Sequence, residues 1–101
     1  MKLSVMDRVQ LLSIMPKEGN FVTLRIVRDL QRDLSFTEAE MKEVGMHIDK
    51  NNRYAWEKNI DKEVEIGEVA LGIIKAAFDE YDKQGKMNMY TLDLYERMFV
   101  S

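Results

Sequence analysis

The chain has 101 residues and a net charge of −3 at neutral pH. Its length predicts a single domain, 1–101, and a content of 46% hydrophobic and 33% charged residues is typical of a globular rather than a disordered protein. The absence of cysteine and the presence of one histidine exclude disulfides and zinc sites built on several Cys or His ligands from one chain. No apolar run approaches the roughly 20 residues of a membrane span. The N-terminal residues lack the apolar region of an export signal, so we expect a cytoplasmic protein.

The charge is unevenly distributed along the chain. Residues 1–34 carry a net charge of +2, residues 35–49 carry −3 and residues 68–101 carry −2. With a pI near 5.2 the protein as a whole lacks the positive footprint of a general nucleic-acid binder.

Three helices are predicted before residue 46. The first begins after Ser4, a favoured N-cap residue, and ends before Pro16. Its expected buried face consists of Val5, Val9 and Leu12. The second begins after Asn20, and its expected buried face consists of Thr23, Ile26, Val27, Leu30 and Leu34. The third begins with a capping box from Thr37 to Glu40 and ends at Gly45.

The apolar pattern then changes to a period of two, which predicts a β-hairpin at about residues 46–57. The alternating apolar residues are Met46, Ile48, Tyr54 and Trp56. A two-residue Asn-Asn loop would leave Ile48 on the opposite face. A three-residue loop pairs Ile48 with Tyr54 and Met46 with Trp56, so that all four share one face. Because register follows the hydrophobic pattern, we favour the three-residue loop, with Asn52 in the left-handed conformation.

A short third strand is expected around Val64 and Ile66, followed by a long helix from Glu68 to about Lys83. Residues 69–78 carry one charge, which predicts a buried central helix, packed on two sides or against a second subunit. We expect Trp56 to be buried against this helix. Asn88 caps a last helix, which either folds back to complete the core or leaves the central helix to pair with a second subunit in a homodimer.

Two surfaces are candidate partner-binding sites. On the second helix, Arg25, Arg28 and Arg32 lie within about 60° of one another, and Phe21 is next to them. These arginines would contact phosphates or an acidic partner, or they are solvated and pair with Asp29. Near the C-terminus lie three residues typical of adaptable partner surfaces, although flexible methionines also fill small cores: Met87, Met89 and Tyr90.

No combination of residues indicates catalysis or a bound cofactor. The five glycines stand singly, so no phosphate-binding loop is present. His47 has no second His and no Cys or Ser at a spacing with a known mechanism. We therefore expect neither an enzyme nor a cofactor or metal site.

The order of three helices followed by a hairpin is that of a winged helix, with residues 50–53 at the wing tip. In a winged helix the third helix enters the major groove, and here it carries Glu38, Glu40 and Glu43 against Lys42. These carboxylates would face the dense negative charge of a duplex. The sequence therefore favours a non-enzymatic accessory protein that binds a protein. The alternative is a nucleic-acid-binding regulator that uses the three arginines and the wing tip.

Four segments resemble short uncharacterised proteins encoded by tailed bacteriophages. They are L-S-I-M-P-K-E-G-N-F-V-T-L-R-I-V-R-D-L from Leu12, S-F-T-E-A-E from Ser35, I-G-E-V-A-L-G-I-I-K-A-A from Ile66 and L-D-L-Y-E-R-M-F from Leu92. The resemblance implies a phage or prophage product that acts in a bacterial cytoplasm, and small phage products of this kind often bind host proteins.

Overall fold

A computed structural model describes residues 1–100 of the chain. Within these residues, five helices account for most of the fold and two small antiparallel sheets complete it, which confirms the mainly-α (α+β) class and the predicted order of helices and hairpin. The helices are α1 (Val5–Ile14), α2 (Phe21–Leu34), α3 (Glu38–Val44), α4 (Glu68–Lys83) and α5 (Met89–Phe99). The strands are β1 (Lys2–Leu3), β2 (His47–Ile48), β3 (Tyr54–Ala55) and β4 (Lys62–Glu63).

Local hydrogen bonds define the helix ends as the sequence predicts. The side chains of Ser4, Asn20, Thr37 and Asn88 each accept a hydrogen bond from a backbone N–H in the first turn of the helix that follows. Such caps satisfy donors that have no partner within the helix. Gly45 ends α3 with φ 69°, a left-handed conformation that favours glycine.

The core lies between α1, α2, α4 and α5. Phe78 of α4 is buried, and its ring makes edge-on contacts with Tyr95 and Phe99 of α5, at centroid distances of 5.5 and 6.2 Å. Edge-to-face geometry is favourable for aromatic pairs. Helix α5 therefore folds back over α4 and completes the core within one chain.

The buried face of α1 differs from the predicted one. Val5 is buried as expected, but Val9 and Leu12 are only half-buried. The inward positions are taken by Leu11 and Ile14, together with two charged residues, Asp7 and Arg8. The sequence prediction followed the apolar residues and had no reason to turn charged positions inward. Asp7 and Arg8 can face inward because each pairs with a residue far away in the chain, Asp7 with Arg97 and Arg8 with Glu40.

Arg8 is the most deeply buried charged residue, with 1% of its surface exposed. Its guanidinium donates to the carbonyl oxygens of Leu34 and Ser35 at 3.0 and 2.6 Å, and to a carboxylate oxygen of Glu40 at 2.8 Å. The ring of Phe36 lies 3.9 Å from the guanidinium carbon. Arg8 thus joins α1 to the end of α2, to the connection that follows and to the start of α3.

The predicted hairpin register is confirmed, but its apolar face is not buried. Ile48 pairs with Tyr54, and Asn52 is left-handed with φ 61°. Ile48 and Tyr54 are nevertheless each 60% exposed. The hairpin lies at the edge of the fold, where the backbone N–H groups of Glu57 and Lys58 both donate to the carbonyl of Val44 at the end of α3.

Trp56 is not packed on α4, contrary to the sequence prediction. It is half-buried and lies beside the N-terminal part of α1 and the outer side of α5. The chain after the hairpin crosses the start of α1, where the side-chain oxygen of Asn59 accepts a hydrogen bond from the Val5 N–H at 2.8 Å. This crossing keeps Trp56 away from α4.

A short strand forms at Lys62–Glu63, just before the predicted position around Val64 and Ile66, and its partner is the N-terminal strand rather than the hairpin. Lys2 pairs with Glu63 and Leu3 with Lys62. Val64, directly after β4, is buried in the core. A strand of two residues at the N-terminus is too short to show a period, so the sequence did not predict this pairing.

Helix α4 has the predicted bounds, but only one side of it is buried. Ala70, Ile74, Ala77 and Phe78 face the core. Val69 is 65% exposed and Gly72 is open to solvent. Packing of this helix on two sides within one chain is therefore not observed, because α1, α2 and α5 cover one side only. A homodimer through the uncovered side stays a prediction.

Replacement of Arg8 tests how far the fold depends on its hydrogen bonds. We expect Arg8→Met to lower the free energy of unfolding by about 3–5 kcal/mol, because Glu40 and two carbonyl groups lose their partner. The measurement is urea denaturation followed by circular dichroism. Arg28→Met removes an exposed arginine and serves as the control, with an expected change within about 0.5 kcal/mol. Equal losses in the two variants would contradict a special role for Arg8.

Acid should weaken the same ion pair. Hydrogen bonds from Arg8 lower the pKa of Glu40 from 4.5 to about 2. A carboxylate with a lowered folded-state pKa contributes stability above its unfolded pKa and loses it as the pH falls towards the folded value. We therefore expect stability to decline between pH 4.5 and about 2, and Glu40→Gln to make that decline shallower.

Glu43→Gln removes an exposed carboxylate from the same helix and is the control for this measurement. Urea midpoints measured across the acid range give the slope for each variant. An unchanged slope in Glu40→Gln would contradict the pKa assignment.

Candidate interaction surfaces

The outer face of α2, defined here as Phe21, Arg25, Arg28 and Arg32, is a continuous exposed surface. All four side chains point away from the core, as the wheel predicts, because the opposite side of the helix holds Val27 and Leu30. Phe21 is 82% exposed, the largest exposure of any large apolar side chain within residues 1–100. An aromatic side chain so exposed on a rigid helix is a candidate contact residue.

The polar contacts on this face leave much of its charge unpaired. Arg32 donates to Asp29 at 2.8 Å, and the Arg28 guanidinium approaches the same oxygen at 4.0 Å. Arg25 does not pair with Asp29, although the spacing allowed it. Its guanidinium carbon lies instead 5.8 Å from the centre of the Phe21 ring, a weak cation–π contact at an exposed site. The Asp29 carboxylate thus lies within ion-pair distance of two of the three arginines, and Arg25 makes no ion pair with it.

The residues predicted near the C-terminus are divided between core and surface. Met87 packs against the core. Met89 and Tyr90, in the first turn of α5, are 77% and 62% exposed. The sequence left open whether methionines in this segment fill the core or form a surface, and both occur. This second exposed apolar surface lies on α5, not on the outer face of α2.

An apolar groove of about 510 Å³ lies between α1, α3 and the hairpin, and sequence reasoning did not find it. It is lined by Val9, Leu12, Ser13, Ser35, Phe36, Met41, Met46 and Tyr54. The sequence feature that could have indicated this groove is the apolar face of α1 that includes Val9 and Leu12. The sequence predicts that this face is buried in the core, but in the structure it forms one wall of the groove, and Tyr54 of the hairpin contributes to the lining.

A more polar pocket surrounds an ion pair between α1 and α5. Arg97 donates to both carboxylate oxygens of Asp7, at 2.6 and 3.1 Å, and to Asp93 at 2.8 Å. Burial alone would raise the pKa of Asp7, but the hydrogen bonds from Arg97 and Ser4 outweigh burial and lower it. The same pairing raises the pKa of Arg97. Every charged group in this pocket therefore has a partner within the protein.

In a winged helix the hairpin tip and the third helix contact nucleic acid, and here only some of their charged side chains are exposed and unpaired. Lys50 and Arg53 at the hairpin tip are exposed. On α3, Glu40 is held by Arg8, while Glu38 and Glu43 remain exposed carboxylates. The helix that would lie in the major groove thus presents negative charge to its surroundings, as the sequence indicates.

The structure adds two observations about sites of other kinds. Within residues 1–100, no three His, Asp or Glu side chains lie close enough together to hold a metal ion. None of the helices in that range combines the length and apolar character needed to span a membrane.

Comparisons with protein-family models, with curated proteins and with solved structures found no match for this chain.

Proposed function

We propose that this protein is a small non-enzymatic accessory protein that acts by binding another protein through the outer face of α2. The observation that carries the proposal is the exposure of Phe21, 82%, among three arginines. Aromatic and arginine side chains contribute most of the binding energy at many protein interfaces. Here both kinds stand together on one face.

The helix that carries this face is held rigidly by the rest of the fold. Its N-terminus is capped by Asn20, and its inner side is fixed by Val27, Leu30 and Leu34 in the core. A contact surface that is ordered before binding loses less conformational entropy when a partner docks. This rigidity supports a binding role for α2 more than for the two-residue strands of the hairpin.

The setting we propose is a bacterial cytoplasm, with a host protein as the partner. This part of the proposal is supported by the resemblance of four sequence segments to proteins of tailed bacteriophages, and by analogy with small phage products that bind host proteins. Self-association through the exposed side of α4 is a further form of protein binding open to this chain.

Site-specific photo-crosslinking in bacterial cells tests the binding surface. The substitution Phe21→benzoylphenylalanine keeps an aromatic side chain at the exposed position, and we expect discrete heavier adducts after irradiation. Tyr54→benzoylphenylalanine, at an exposed aromatic position on the hairpin, is the matched control and should not give the same adducts. No adduct at position 21, or identical adducts at both positions, would contradict the proposal.

A second candidate function is nucleic-acid binding, which is favoured by the exposure of the three arginines and of the hairpin tip. Phosphate contacts from these residues would position a duplex without reading its sequence. This function predicts an affinity for duplex DNA that falls steeply with salt. Each arginine removed would reduce the slope of log affinity against log salt by about one.

We expect no salt-sensitive binding of this kind at micromolar protein, because α3 presents exposed carboxylates and the net charge is −3. Fluorescence anisotropy of a labelled duplex over a salt series measures it. Tight, salt-dependent binding that is lost in Arg25→Glu/Arg28→Glu would favour this candidate over protein binding.

A further inference from the structure

We infer that the outer face of α2 recognises an acidic helical segment of its partner, one that presents glutamates or aspartates in a row with an apolar side chain at the end nearest Phe21. This inference rests on the proposed function and names the chemistry of the partner. It follows from the charge on the face, from the spacing of its side chains and from the position of Phe21.

The guanidinium groups on the outer face of α2 lack enough carboxylates within the described chain, so we expect carboxylates from a partner to bind them. Arg25 makes no ion pair with any residue of 1–100, and Arg28 is at the 4.0 Å limit from an Asp29 oxygen that already accepts from Arg32 at 2.8 Å. Guanidinium groups bind carboxylates through two parallel hydrogen bonds, a geometry that no arginine on this face makes within the described chain. Two of the three arginines therefore have donors available for a partner.

The spacing of the face fits a second helix. With a rise of about 1.5 Å per residue, Arg25 and Arg28 are separated by about 4.5 Å along the axis, and Arg28 and Arg32 by about 6 Å. Acidic residues three and four positions apart on a helix have the same separations and share one side. A partner helix lying along α2 can therefore place one carboxylate opposite each arginine.

Phe21 extends the row by one more turn and adds an apolar contact. It lies four residues before Arg25, on the same side of the helix, and its ring is exposed apart from the approach of the Arg25 guanidinium. A leucine or an aromatic side chain on the partner can pack on the ring in line with the carboxylates. The bases of a duplex are stacked on one another, so its phosphates would leave this ring in water, and Phe21 therefore favours a protein segment over duplex nucleic acid.

The net charge of the protein also favours a short segment over a duplex. The molecule measures 34 × 28 × 27 Å, whereas charges separated by more than about 8–10 Å are largely screened at physiological salt. A single acidic helix interacts mainly with the positive outer face of α2. A duplex carries one charge per about 1.7 Å, extends past that face and meets the negative charge of the rest of the protein.

Binding of designed peptides to the full chain tests this inference. The probe is a fluorescein-labelled amphipathic helical peptide with glutamates at positions i, i+4 and i+7 and a leucine at i+11, which places the leucine by Phe21 when the two helices are antiparallel. We expect saturable binding at micromolar concentrations by fluorescence anisotropy, weakened about tenfold or more by Arg25→Glu/Arg28→Glu and by added salt. Phe21→Ala should also weaken binding, but without changing its salt dependence.

The control variant, Lys50→Glu/Arg53→Glu, reverses the same number of positive charges at the hairpin tip and should leave the affinity within about twofold. Circular dichroism checks that each variant remains folded; all the replaced side chains are exposed.

Several outcomes would overturn the inference. These are no binding of the peptide at millimolar concentration, equal binding of a peptide with lysines in place of the glutamates, or tighter arginine-dependent binding to duplex DNA or to anionic lipid vesicles. A Phe21-dependent dimer in sedimentation would identify a second copy as the occupant. A crosslinked protein partner whose contact at position 21 survives Arg25→Glu/Arg28→Glu would overturn this inference alone and leave protein binding in place.

Discussion

The fold depends on one buried charge, the guanidinium of Arg8. A buried ion is tolerated only when its hydrogen-bonding groups are satisfied, and Arg8 donates to two backbone carbonyls and to Glu40 while Phe36 covers its face. The carbonyls belong to Leu34 and Ser35, where α2 ends and has no helical donors left to satisfy them. The same guanidinium therefore completes the end of α2 and fixes the first turn of α3. It also determines where Phe36 lies, and hence one wall of the apolar groove.

The neighbouring residue, Asp7, joins α1 to the last helix, α5. Its carboxylate accepts from the Ser4 N–H in the capping box of α1 and from Arg97 of α5. Two consecutive residues of α1 thus bind two other helices: Arg8 binds α3 and Asp7 binds α5. These hydrogen bonds are directional, so they fix which side of α1 faces each helix. The apolar contacts of the core provide most of the burial, but they would allow α1 to rotate about its axis. Asp7 and Arg8 permit one rotation, which turns Leu11 inward and leaves Val9 and Leu12 on the groove.

What the sequence predicted correctly depends on neighbours within a few residues. The caps at Ser4 and Thr37 and the hairpin register with Asn52 left-handed are all set by local hydrogen bonds and local periodicity. What it missed depends on residues far apart in the chain, such as the pairing of β1 with β4 or the contact of Arg8 with Glu40. Of the candidate surface, the wheel placed Phe21 and the arginines on one face correctly. It could not tell that Arg25 would approach Phe21 rather than Asp29, since both contacts lie within reach of the same flexible side chain.

The exposed apolar residues of α1 and α4 are explained by packing within the chain, whereas the exposed Phe21 of α2 is not. Helices α1 and α4 both have apolar residues that are left partly uncovered, at Leu12 and at Val69, because each helix is apolar around more of its circumference than its neighbours can cover. Such surfaces follow from packing and need no partner to explain them. Helix α2 differs, since its inner side is used by Val27, Leu30 and Leu34 and its outer face carries three arginines beside Phe21, while Val22 and Leu24 next to that face are less exposed than Phe21. The core gains nothing from an aromatic ring at that position, and solvation alone favours a polar side chain there. An exposed phenylalanine among arginines is therefore explained better by contact with another molecule than by the packing of this one.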